Sequence, residues 1–96
     1  MPKTTTETKT VKIHGKPWKI EITNKFPKPY GRCAGLCWDD DRKIQIKKSL
    51  DSWQHLVVLI HECLHAADKN QSEEWVTQTA NDLATIVWDS GYECEE

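Results

Sequence analysis

Residues 51–68 read Asp-Ser-Trp-Gln-His-Leu-Val-Val-Leu-Ile-His-Glu-Cys-Leu-His-Ala-Ala-Asp, and this stretch decides how the rest of the chain is read. Asp51 stands where an N-cap side chain would, with Gln54 three residues on, the spacing of a capping box just ahead of an apolar run. The helix is expected to run from about Ser52 to Ala67. Leu56 to Ile60 is apolar on every face of such a helix, so a sheet on one side and a second helix on the other are expected to bury it on several sides. Within the run, His61-Glu62-Cys63-Leu64-His65 spells H-E-x-x-H. Four residues apart on a helix, the two imidazoles share a face with Cβ atoms about 5–6 Å apart, which suits joint ligation of one Zn2+. Glu62 then stands where a general base for a metal-activated water is needed. On a buried helix, two histidines and a glutamate would cost several kcal/mol unless something satisfied them. A bound metal is the simplest such partner.

Outward from the helix, the chain divides into a sheet-forming half and a helical half. Val11 and Ile13, then Trp18, Ile20 and Ile22, are apolar at alternate positions, with His14-Gly15-Lys16-Pro17 between them as turn material, the pattern of a β-hairpin. Asn24 to Gly31 carries two prolines and a glycine and reads as a loop. Cys33 to Trp38, the Asp39-Asp40-Asp41 turn and the alternating segment from Arg42 to Lys47 read as a second hairpin. After the first helix, Asp68-Lys69-Asn70-Gln71 is a polar break. Ser72 is then a fresh N-cap, with Glu73 and Glu74 in the first turn where the helix dipole favours them. Val76, Ala80, Leu83 and Val87 form the expected inward stripe of this second helix, and Gly91 its stop. The fold class expected is α+β: a small, mostly antiparallel sheet of three to four strands packed on the H-E-x-x-H helix, followed by a second helix. Residues 1–10 are expected to be a flexible polar tail, since they hold too little apolar surface to offset ordering entropy. Residues 11–96 would be a single domain.

Two histidines do not complete a catalytic zinc site, which usually takes three protein ligands. Glu73 lies three before Val76 and seven before Ala80, so it shares the phase of the inward stripe and ranks first as the third ligand. Glu74 shares a face with Thr77, Gln78, Asn81 and Thr85 and is expected to face water. Asp68 falls three after His65, one turn further along, and suits a hydrogen bond to a ligand better than ligation itself. Cys63 is off the His61/His65 face and is read as packing.

The run from Leu59 to Asp68, with Ser72-Glu73-Glu74-Trp75-Val76 and Trp88-Asp89-Ser90-Gly91-Tyr92 after it, resembles a group of very short zincin-type metallopeptidases from phage and bacterial genomes. It is also similar in plan to the minigluzincins. The resemblance covers about Gly31 to Tyr92. It implies a minimal zincin fold, zinc as cofactor, and zinc-dependent hydrolysis of peptide bonds. It implies His61, His65 and Glu73 as metal ligands and Glu62 as the catalytic base. It further implies that Cys33 to Trp38 is an edge strand along which substrate lies antiparallel, with Gly35, Leu36 and Cys37 as the substrate-binding residues. The chain departs from the longer zincins in the short interval from His65 to Glu73 and in having no sizeable C-terminal subdomain.

Composition bounds what else the protein can be. Residues 1–50 hold 12 Lys/Arg against 5 Asp/Glu, and residues 51–96 hold 1 against 10, behind a formal net charge of −2. The basic half is read as a solvated sheet face, and nucleic acid is not expected as a partner, because the tryptophans are not interleaved with basic residues as a stacking platform requires. No segment approaches the roughly 18 apolar residues of a membrane span. The polar N-terminus lacks the apolar core of a signal peptide, which sets the expectation of a cytoplasmic monomer with free thiols, acting on a peptide or protein substrate. The competing reading is a non-catalytic, metal-stabilised module that binds a partner through its edge strand or basic face.

Overall fold

The computed structural model describes residues 6–91. Residues 1–5 and 92–96, Tyr92 and Cys94 among them, lie outside the described span. The elements follow in the order β1 (Glu7–Ile13), β2 (Lys16–Thr23), β3 (Gly35–Trp38), β4 (Lys43–Lys47), α1 (Ser52–Ala67) and α2 (Glu73–Asp89). The fold is α+β, with one four-stranded sheet ordered β1-β2-β4-β3 and two helices.

The sheet is mixed. β1 pairs antiparallel with β2, and β3 with β4, as the two hairpins require, but β2 and β4 run parallel, with Ile20 opposite Ile44 and Ile22 opposite Ile46. The loop over residues 24–34 carries the chain across the sheet so that β3 occupies the far edge and β4 returns beside β2. That places the buried core on one face: Trp18, Ile20, Ile44 and Ile46 are buried together, with Val11, Ile13, Ile22 and Cys37 beside them. A parallel join of this kind depends on where a long loop lands, so local periodicity leaves it open.

Two other expectations are corrected. β1 begins at Glu7, inside the stretch read as a tail, and Glu7–Thr10 pairs with Lys19–Ile22. An edge strand gains ladder hydrogen bonds without burying its side chains, so its polar, exposed residues gave no apolar signal. The first turn is also tighter than the four residues allotted to it. His14 and Gly15 alone connect the strands, both at positive φ (52° and 78°), as a two-residue type I′ hairpin demands.

Helix α1 starts at the expected cap, where the Asp51 carboxylate accepts the Gln54 N–H at 2.8 Å. Val58, Leu59, Cys63 and Ala66 pack on the sheet core, and α2 covers another side. The coverage is thinner than expected: Glu62 is the one buried residue of α1, and its apolar residues keep partial exposure. Two thin layers cannot enclose a helix that is apolar all round. Helix α2 packs through Val76, Ala80 and Ala84, all fully buried, whereas Leu83, assigned to the inward stripe, is 40% exposed. Small residues spaced by four bring the two helix axes close, and Leu83 falls on the flank of that contact.

Candidate functional site

The turn between the helices sets the site. The Asp68 carboxylate accepts the Asn70 N–H at 3.0 Å and the Gln71 side-chain amide at 3.2 Å, and the Gln71 N–H returns to the Asp68 carbonyl. Ser72 then caps α2 by accepting the Trp75 N–H at 3.0 Å. This fixed reversal puts Glu73, the first residue of α2, over the His61/His65 face of α1. One Glu73 oxygen lies 3.0 Å from His61 Nε2, and the other 2.9 Å from His65 Nε2. The two imidazole rings stand 4.9 Å apart between centroids.

His61, His65 and Glu73 therefore form a group that could hold a metal ion, each offering one ligand atom, with all three atoms within 4.8 Å of one another. Two imidazoles and a carboxylate are the donor set of a borderline divalent ion. With metal–ligand bonds of about 2.0–2.1 Å, tetrahedral ligands stand about 3.3 Å apart, so contacts near 3 Å need only small side-chain adjustments to admit an ion. The three residues fit the group the sequence implies.

Glu62 projects from α1 toward the sheet edge and is 8% exposed. Burial, and then the nearby Glu73 carboxylate, push its pKa up from 4.5 to about 7. Its neighbour across the cleft is Gly35 of β3. A Cβ at that position would lie 2.6 Å from Val58 Cγ1, 3.0 Å from Glu62 Cγ and 3.1 Å from Glu62 Oε2. Only glycine lets the strand approach the carboxylate this closely. Cys37 and Cys63 flank the same carboxylate. Burial first, then Glu62, raises both thiols, Cys37 to about 12, so both are protonated core groups at neutral pH.

A cleft of about 420 Å³ joins these parts, lined by Gly35, Leu36, Cys37 and Asp39 on the sheet side and by His61, Glu62, His65, Lys69 and Glu73 on the helix side. The structure thus brings together the three ligand candidates, Glu62 and the three strand residues. β3 lies at the edge of the sheet, so among the described residues no other strand pairs with one side of its backbone. Asp68 is not brought to His65. Its carboxylate is committed to the turn, where it orients Glu73 through the backbone rather than through a ligand. Asp39 and Lys69, which sequence reasoning does not single out, meet at 3.4 Å between this cleft and a second cavity that they also line. Each had been taken as turn or loop polarity, and no spacing ties residues thirty positions apart.

Compared with protein-family models, with curated proteins and with solved structures, the chain matches none. Fold and site together define a small α+β domain with a His/His/Glu group suited to a metal ion, set beneath a free sheet edge.

Proposed function

We propose that this protein is a zinc-dependent metallopeptidase, with His61, His65 and Glu73 holding the ion and Glu62 serving as general base. The observation that carries the reading is the convergence of both Nε2 atoms on the two oxygens of one carboxylate, in a cleft that also holds a buried, unligated glutamate. When bound, zinc would supply Lewis acidity, lowering the pKa of a water toward 7 and polarising a scissile carbonyl.

The chain's own residues do the rest. Burial raises the proton affinity of Glu62, which favours taking a proton from water and returning it to a leaving amine. Gly35 keeps the edge strand against that carboxylate, and the free side of β3 offers backbone hydrogen bonds to an extended peptide. A substrate strand held there lies along Gly35, Leu36 and Cys37, with its backbone beside Glu62. Cys37 and Cys63 flank the carboxylate and take no proton-transfer role, because their thiols stay protonated.

The test is turnover by the zinc-loaded protein on a mixed peptide library, read by mass spectrometry, beside Glu62→Gln. Expected are discrete cleavages by the wild type and a loss of at least a hundredfold in the variant at unchanged zinc content. Equal cleavage by both would overturn the role of Glu62. Zinc binding with no cleavage at all would favour a metal-stabilised binding module.

A further inference from the structure

The two walls of the cleft run side by side. Gly35 opposes Val58 and Glu62 at one level, and four residues further along the strand side Asp39 meets Lys69, seven residues beyond Glu62 on the helix side. On the strand side four extended residues span about 13 Å at 3.3 Å per residue, and on the helix side α1 runs about 8 Å past Glu62 to its end at Ala67, where the turn that follows carries Lys69. The Lys69–Asp39 ion pair, 3.4 Å between Nζ and Oδ2, bridges the walls near the C-terminus of β3, between this cleft and a second cavity that both residues also line. Its side chains are 71% and 41% exposed, so the pair itself contributes little to stability and opens readily.

Charge at that position meets whatever terminus a bound strand presents. Antiparallel pairing, the more stable mode per residue, points the N-terminus of an added strand toward the C-terminal end of β3. We propose that Asp39 is the acceptor for the free α-ammonium group of the substrate, with Lys69 displaced into solvent, so that the enzyme trims short fragments from peptide N-termini. The inference rests on the peptidase reading above and names its substrate class. Between the Glu62 level and Asp39 lies room for about four extended residues, which sets the fragment length. Atoms balance as in any peptide hydrolysis: water adds across one C–N bond, releasing a short N-terminal peptide acid and a shortened chain with a new amine.

The experiment uses one decapeptide library in three forms: free at both ends, N-acetylated, and C-amidated. Cleavage positions and rates are followed with the zinc-loaded wild type, Asp39→Asn and Lys69→Met, and binding of the same peptides is measured on zinc-loaded Glu62→Gln and on Glu62→Gln combined with Asp39→Asn. Expected are cuts within about four residues of the N-terminus, at least tenfold faster on free than on acetylated peptides, with the preference lost in Asp39→Asn and kept in Lys69→Met. The same preference is expected in binding to Glu62→Gln, and its loss in the double variant. Equal handling of free and acetylated peptides would overturn the inference and leave the peptidase reading intact, as would dependence on the C-terminal carboxylate instead. Absence of cleavage would sink the peptidase reading, and binding would still decide whether Asp39 reads an amine; peptides that are neither cleaved nor bound would sink both.

Discussion

Glu62 offers the sharpest energetic test, in the metal-stripped protein. Its folded-state pKa of about 7 lies above the ordinary 4.5, chiefly because burial penalises the carboxylate and secondarily because Glu73 repels it. A raised pKa means that the folded state binds the proton more tightly than the unfolded state. The stabilisation linked to that proton is full below about 4.5 and is lost as pH rises through about 7. Each unit of difference is worth about 1.4 kcal/mol, so Glu62 should make the folded protein about 3 kcal/mol less stable, relative to a neutral isostere, at pH 8 than at pH 4. Glu62→Gln supplies that isostere. Urea unfolding of both proteins in chelator, across this pH range, should show the variant gaining on the wild type by about 3 kcal/mol as pH rises, while other titrating groups cancel in the comparison. A difference that does not change with pH would mean the carboxylate is ionised or solvated throughout, and the account of Glu62 as a buried, proton-holding base would fail.

Two further perturbations probe how the scaffold positions the site. Gly35→Ala should force Val58 and Glu62 away from β3, costing about 1–3 kcal/mol of stability and reducing turnover by more than that loss of folded protein explains, with zinc content unchanged; denaturant unfolding beside kcat and metal analysis would check it. Ala80→Leu should wedge α2 from α1 at a fully buried point, destabilise by about 1–3 kcal/mol, and weaken zinc binding at a distance by shifting Glu73, which isothermal titration would detect; an unchanged zinc affinity would show that Glu73 is positioned independently of the helix contact.

Much of this site was legible because its determinants are local. The Asp51/Gln54 spacing located the start of α1, the four-residue interval fixed the two imidazoles on one face, and helical phase singled out Glu73 over Glu74. Phase put Glu73 on the side of α2 where it meets His61 and His65, but it misplaced Leu83, since it identifies a face and not how closely two helices approach: the contact selects Ala84 at full burial and leaves Leu83 on the flank. The hairpins were readable from alternation, whereas the parallel β2–β4 join was not, because nothing within either strand encodes what the loop between them does. Glu7–Thr10 escaped notice for a related reason: its stabilisation comes from backbone pairing with β2 rather than from its side chains. Asp68 looked like a partner for His65 by phase, yet its short side chain finds nearer donors in the turn that follows. Asp39 and Lys69 acquire meaning only once the cleft is folded.

The account stands on the metal site, and X-ray absorption at the zinc edge on the reconstituted protein tests it most directly. It predicts one zinc per chain with a first shell of nitrogen and oxygen from His61, His65 and Glu73, no sulfur, and a collapse of affinity in Glu73→Ala with the fold retained. A sulfur ligand, or full zinc affinity in Glu73→Ala, would contradict it.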